Sequence, residues 1–245
     1  MATPRFFVPQ PWSPPAVGET VELPDAAAHH AMRVVRLAVG DALTLFDGGE
    51  GEYAARLVRA DKRGASVRIE RFERIDRESP LAVTLAQAVA ATDAMDLVVR
   101  KATELGAAAI QPLVTARSAP LPPGERGAKR HLHWAQVAIA ACEQCGRNRV
   151  PAIAPPQPLA EWLAGWQGGG VVLAPDADRS MMALAQPALP VALLVGPEGG
   201  FDPRERAAIG AKGFMAVRAG PRVLRTETAA IAGLALLQSL WGDWR

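Results

Sequence analysis

The chain has 245 residues, of which 49% are hydrophobic but only 5% aromatic, with a net charge of +2. That length allows one large domain or two small ones, with a core built from Ala, Leu and Val, and the near-neutral charge permits a nucleic-acid partner without demanding one. Two cysteines exclude a disulfide framework, no stretch approaches the roughly 18 apolar residues of a membrane span, and the first ten residues lack a secretory apolar run, so a cytoplasmic protein is expected.

Residues 1–77 read as β-rich. Short apolar segments at Thr20–Leu23, Ala42–Phe46, Tyr53–Val58 and Ala65–Ile69 are separated by glycine turns, among them Asp47-Gly48-Gly49, a hairpin signal. One helix over Asp25–Arg36, with Asp25 as its N-cap, is expected to interrupt them. Several short strands in this length suggest a small barrel. The charged stretch "ERFERIDRES" ends at Pro80 and marks the domain boundary, giving domains over 1–77 and 78–245.

Beyond it the rhythm changes. Leu81–Ala90 reads as a strand and Thr92–Leu105 as a helix, capped by Thr92 or Asp93 and stopped by Gly106. Ala107–Val114 is the next strand. A Pro/Gly/basic loop leads to a helix near 128–146. After a Pro-rich link (151–158) come helix 159–166, strands 170–174 and 190–195, helix 203–211, strand 214–218 and a final helix 227–240. Strands alternating with helices predict a parallel α/β sheet with helices on both faces.

Charge is unevenly spread. Residues 1–77 hold eleven basic and eleven acidic side chains, whereas 117–149 and 200–225 each hold six basic against two acidic. No Gly-x-Gly-x-x-Gly follows a strand, and neither a Gly-x-x-x-x-Gly-Lys-Ser/Thr loop nor a Gly-x-Ser-x-Gly elbow occurs. Dinucleotide, P-loop and serine-hydrolase chemistry are therefore disfavoured. Cys142-Glu-Gln-Cys145, with His131 and His133 upstream, invites a metal reading. On one helix, however, His131 and Cys142 stand roughly 16 Å apart along the axis, and zinc needs its ligands at about 2.0–2.3 Å. The cysteines also sit at a helix end rather than a thiolate-stabilising start. Small apolar packing is the expectation, with no metal.

Three clusters remain. Glu143, Gln144, Arg147, Asn148 and Arg149 crowd a helix end stopped by Gly146, which suits either C-capping or phosphate and base contacts. "VALLVGPEGGF" at 191–201 runs a buried-looking strand into three glycines, a proline and one carboxylate. "AGPRVLRTETA" at 219–229 repeats the strand-end glycine turn and opens a helix, with Thr226 or Thr228 available as cap and Glu227 in its first turn. Strand-end loops of an open α/β sheet are where ligands bind.

These motifs resemble the two hallmark loops of the SPOUT class of S-adenosylmethionine-dependent RNA methyltransferases. More closely, the chain resembles the RsmE family of 16S ribosomal RNA uridine-N3 methyltransferases. The likeness runs nearly end to end, through "PRFFV" (4–8), "LFDG" (45–48), "RESPL" (77–81), "KATELG" (101–106), "AIAACEQCGRNRVP" (138–151), "LLVGPEGGF" (193–201) and "GPRVLRTETA" (220–229). It implies a PUA-like β-barrel domain followed by a trefoil-knotted α/β domain. It also implies a homodimer, with the Ala/Leu face of the last helix as one contact, and the small ribosomal subunit as partner.

The resemblance further implies S-adenosyl-L-methionine bound by Gly196, Pro197, Glu198, Gly199 and Gly200 in one loop, and by Gly220, Pro221, Val223, Leu224, Arg225 and Thr226 in the other. The strand end at Leu173-Ala174-Pro175 is the third wall. For the chemistry, Arg147 or Arg225 is the candidate to stabilise a uridine anion, and Glu143, Glu198 or Glu227 to take its proton. RNA contacts are expected from Arg5, His29, His30, Arg33, Arg36, Arg117, Lys129, Arg130 and Arg149. A methyltransferase of the same class acting on another RNA, or a non-catalytic ribosome-assembly factor, are the competing readings.

Overall fold

The computed structural model describes residues 3–9 and 12–244. The chain folds into two units. One holds residues 1–78 together with Cys142–Val150; the other holds Ser79–Ala141 and Pro151–Arg245.

The first unit is built on a five-stranded sheet of β1 (Arg5–Phe7), β2 (Thr20–Glu22), β3 (Ala42–Phe46), β4 (Glu52–Asp61) and β5 (Gly64–Glu73), in the order β1-β3-β4-β5-β2. β1 runs parallel to β3, and the other pairs are antiparallel. The Asp47-Gly48-Gly49 turn joins β3 to β4 as expected. Gly48 takes φ +90°, and Asp47 accepts a hydrogen bond from the Gly49 amide at 3.0 Å. Phe6, Leu43, Leu45, Leu57, Val67 and Ile69 point into one buried core. Alternation along β4, with Leu57 buried between exposed Arg56 and Val58, is the period-2 signature of a half-buried strand.

The expected Asp25–Arg36 helix is present in a different form. It is α-helical only over α1 (Asp25–His29), then widens into a π-turn over His30–Val35. Pro24, not Asp25, is the N-cap, and no side chain caps the helix. Arg36 ends it in the left-handed region at φ 62°. A non-glycine residue there is uncommon, and the π-turn leaves Arg33, Val34, Val35 and Arg36 all exposed.

The second unit is a parallel sheet of β6 (Val83–Ala88), β7 (Ala109–Val114), β8 (Ala152–Ile153), β9 (Gln157–Pro158), β10 (Gly169–Leu173), β11 (Val191–Val195) and β12 (Met215–Val217). The order is β12-β10-β11-β6-β7-β8, with β9 also pairing with β7. β8 and β9 fall within the segment read as a Pro-rich link. β11, "VALLV", is buried at all five positions, the unalternated pattern of a parallel strand covered on both faces. The helices are α2 (Thr92–Glu104), α3 (Glu125–Cys145), α4 (Leu159–Gly165), α5 (Pro203–Ala211) and α6 (Thr226–Trp241).

Two further helices start on caps other than those expected. α2 has Ala91 as N-cap, which carries no side-chain acceptor, and Thr92, the first helical residue, accepts from Arg130 at 3.2 Å. α6 has Arg225 as N-cap, and Thr226 turns its hydroxyl to Gly196 rather than to its own helix. α5 is capped as its sequence dictates: Asp202 and Glu205 form a capping box around Pro203.

α6 packs on the sheet through Gly233. A Cβ built there would stand 2.8 Å from Leu193 Cδ2 and 3.0 Å from Leu173 Cδ1. Alanine gains about 1 kcal/mol over glycine in helix propensity, but overpacking a filled core costs about 1–3 kcal/mol. Leu193 is fully buried and has little room to yield, so the second effect wins. Gly233→Ala is expected to lower the thermal midpoint by a few degrees, measured by calorimetry. An unchanged or raised midpoint would show that the contact relaxes freely.

Candidate methyl-donor site

The carboxyl ends of β10, β11 and β12 meet at a cavity of about 560 Å³ within the second unit. β10 delivers Val172, Leu173, Ala174 and Pro175; β11 delivers Val195 and the loop Gly196, Pro197, Glu198 and Gly200; and the chain after β12 delivers Ala219 and Arg222 to Thr226. Of the loop residues anticipated from sequence, Leu173, Ala174, Gly196, Pro197, Glu198, Gly200, Val223, Leu224, Arg225 and Thr226 line it. Gly199, Gly220 and Pro221 do not, and they act on the loops' shape instead. Gly220 takes φ +80°, a turn conformation that a side chain would strain. Gly199 offers its carbonyl to Arg117 at 2.8 Å, and a Cβ there would crowd Arg117 at 3.2 Å.

Sequence reading missed the cavity's floor. Phe201, Ile209 and Phe214 line it with Ala216, and all three large residues are buried in the same apolar cluster as Leu194 and Val172. Their apolar character was visible, but only the fold aims them at the strand ends. Asp176 and Arg206 also line the cavity and pair at 2.6 Å, the hydrogen bond from Arg206 holding the Asp176 carboxyl below its ordinary pKa.

An open, largely apolar cleft of this size, rimmed by backbone groups and a few charges, fits a nucleoside-bearing cofactor. A second, smaller depression shares Glu198 and Arg225 with the cavity and adds Asp93, Leu97 and Glu227. Arg225 and Glu227 are thus brought beside the glycine loops.

Glu143 and Arg147 are placed otherwise. Both belong to the segment grouped with the first unit, and neither lines the cavity. Arg147 is only 4% exposed, and its guanidinium meets Glu78 at 2.5 Å. Asn148 accepts from Arg5 at 2.6 Å and donates to the Ile75 carbonyl at 2.9 Å, while Arg77 donates to the Gly146 carbonyl at 2.9 Å. Glu52 lies between Arg5 and Arg77. Burial pushes its carboxyl up, but hydrogen bonds and charge from the two guanidiniums outweigh that and hold it below its ordinary value.

Arg5 is engaged within the protein: it pairs with Glu52, donates to Asn148 and lies 4.8 Å from the centre of the Phe46 ring. His30 is half-buried, edge-on to Phe6 and 3.5 Å from Glu143. Arg130 donates to Thr92 and lies over Trp134, and Arg117 holds the Gly199 carbonyl. His29, Arg33, Arg36, Lys129 and Arg149 are exposed, and Arg149 stands 3.6 Å from Asp76. Cys142 is buried, which pushes its thiol up to about 12, a packed and unreactive state.

The sheet and its strand-end cavity define a class, an α/β RNA methyltransferase fold. The RNA methyltransferase domain family matches residues 77–238, and the RNA methyltransferase PUA domain family matches residues 23–70. Within that class the chain belongs to the ribosomal RNA small subunit methyltransferase E family. The Synechocystis member is 34% identical, the match covering 90% of this chain and 73% of that one. The member from Buchnera aphidicola of Acyrthosiphon pisum is 30% identical over 91% and 89% of the two chains. Among solved structures, the Neisseria gonorrhoeae ribosomal RNA small subunit methyltransferase E bound to S-adenosylmethionine superposes with a TM-score of 0.91. It is 37% identical, and the match covers 100% of both chains. No helix among the described residues is long and apolar enough to cross a membrane.

Glu143 offers a test of the first unit's polar core. Burial raises its pKa, opposed by the Phe7 amide at 3.1 Å and by His30 and Arg5. A carboxyl whose folded pKa is raised contributes most below its unfolded pKa and loses that contribution as pH climbs through the folded value. Glu143→Gln keeps an acceptor for the Phe7 amide and removes the titration. Relative to the native chain, the variant is expected to gain stability as pH rises from about 4.5 to 7, read from urea midpoints across that range. A pH-independent difference would show that the carboxylate is not desolvated.

Proposed function

We propose that this chain transfers the methyl group of S-adenosylmethionine to N3 of a uridine in 16S ribosomal RNA of the small subunit, working as a homodimer. The observation that carries this is the cavity at the ends of β10, β11 and β12, whose walls are the "GPEGG" and "RVLRT" loops. Leu173, Phe201, Ile209 and Phe214 provide apolar walls for a purine, and the loop backbones provide polar groups at its rim.

S-adenosylmethionine, when bound, supplies a methyl on sulfonium sulfur as the electrophile. N3 of uridine carries a proton and attacks well only as that proton leaves. Arg225, on the wall shared by the cavity and the depression beside it, is positioned for the negative charge that develops on the uracil ring. Glu198 and Glu227 border the same depression and are the candidates to take the proton. The burial of Arg147 and its pairing with Glu78 favour a structural role for it and for Glu143, in seating the 142–150 segment. RNA would be gripped through phosphates by His29, Arg33, Arg36, Lys129 and Arg149, a positional contact that adds affinity without reading bases. For the dimer, α6 offers Ile231, Ala235 and Leu236, apolar positions that its own chain covers only partly.

The test is incubation with isotopically labelled S-adenosylmethionine and small subunits lacking the modification, then digestion to nucleosides. Labelled 3-methyluridine is the expected product. Label on another nucleoside, or on none, would overturn the assignment. In the same assay Arg225→Met is expected to cut turnover by about 10²-fold, the usual cost of one electrostatic stabiliser.

A further inference from the structure

Gln87, in β6, is a fully buried polar side chain beside the cavity, in register between Val195 of β11 and Pro112 of β7. Its side-chain nitrogen donates both hydrogens, to the Ala88 carbonyl at 2.9 Å and to the Thr226 hydroxyl at 2.8 Å. The Thr226 hydroxyl in turn donates to the Gly196 carbonyl at 2.7 Å. Thr226 is itself buried, and the Gln87 carbonyl oxygen is buried with no hydrogen-bond partner among the described residues.

The direction of this relay is forced. The Ala88 and Gly196 carbonyls can only accept, and a threonine hydroxyl has one hydrogen. The Gln87 nitrogen must therefore face Ala88 and Thr226, and Thr226 must give its hydrogen to Gly196. Every donor in the relay is used within the protein, so neither side chain has a hydrogen to offer a ligand. An unpartnered buried carbonyl costs free energy that an apolar residue would avoid. A glutamine stands at this point in the core where a leucine or methionine would pack without that cost.

We infer that Gln87 is a positioning residue of the methyl-donor site. It acts through Thr226 to fix the distance between the loop that follows β11 and the loop that opens α6. Those loops carry Glu198 and Arg225, two residues after Gly196 and one before Thr226. The three segments come from positions 87, 196 and 226, far apart in the chain, and the relay joins them where the cavity wall is made. This inference rests on the cavity being the S-adenosylmethionine site.

The test uses Gln87→Met, Thr226→Val, Thr226→Ser and the double variant of the first two. Affinity for S-adenosylhomocysteine is measured by calorimetry, with unliganded melting temperature recorded alongside. Gln87→Met and Thr226→Val are each expected to weaken binding about tenfold, equivalent to ~1.4 kcal/mol. The double variant should be little worse than either alone, because both break one chain. Thr226→Ser, which restores the hydroxyl, should recover most of the affinity lost in Thr226→Val.

Melting temperatures that fall while affinity stays within about twofold of native would overturn the inference and leave Gln87 a core residue; so would additive losses in the double variant. If Gln87→Met fails to fold, the Thr226→Val and Thr226→Ser pair decides: equal affinities overturn the relay, and unequal ones support it. A native chain that does not bind S-adenosylhomocysteine would overturn the cofactor reading, and this inference with it. Native binding with unaffected variants overturns only the inference.

Discussion

Three neighbouring parallel strands, Gly169–Leu173, Val191–Val195 and Met215–Val217, all end at the same edge of the sheet, and the chain's ligand chemistry depends on that edge. At a strand end the ladder stops and backbone groups lose their partners. Something must satisfy them or keep them near water. Here the chain turns away through glycine and proline, so the ends stay open and a cavity forms between them. The bulk of Phe201, Ile209 and Phe214 beneath closes that cavity without filling it. A narrower floor would leave a packed core, and a more polar one would admit water where a sulfonium centre is to react.

The first unit solves a different problem. Its sheet holds the 142–150 segment largely through charged and amide side chains, Arg5, Glu52, Arg77, Glu78, Arg147 and Asn148, with Glu143 beneath Phe7 and His30. Burying ions is costly, and such networks often stabilise less than an apolar core of the same shape would. What they do provide is register: an Arg–Glu pair is satisfied in one arrangement and penalised in most others. The segment begins with the last residues of α3, which ends at Cys145 before Gly146 at φ +91°.

How much of this was legible follows from which signals are local. The strand and helix alternation after residue 80 and the Asp47-Gly48-Gly49 hairpin depend on neighbours within a few positions, and the chain spells them out. The glycine turns were legible for the same reason, and the family resemblance their motifs carry implied eight loop residues that line the cavity. The burial of Arg147 was not legible, because its partner Glu78 lies 69 positions away. A basic residue beside a glycine looks the same in sequence whether it meets phosphate or a buried carboxylate. The pairing of Arg5 was hidden likewise, its partners Glu52 and Asn148 being 47 and 143 positions distant.

Thr226 shows why the remainder could not be read. A threonine at the start of a helix, followed by glutamate, is a cap by every local rule. In the structure Arg225 takes the cap position and Thr226 is the first helical residue; its oxygen accepts from Gln87 and its hydrogen goes to the Gly196 carbonyl. With a glutamine nitrogen donating to the oxygen, the hydroxyl must point its hydrogen elsewhere, and the carbonyl of the cofactor loop is the acceptor within reach. The helix then goes without a side-chain cap, a loss of about 1 kcal/mol. Against that loss, two loops that would otherwise move independently are tied at one buried point. A site that must hold a methyl donor and a base in line tolerates little relative motion of its walls.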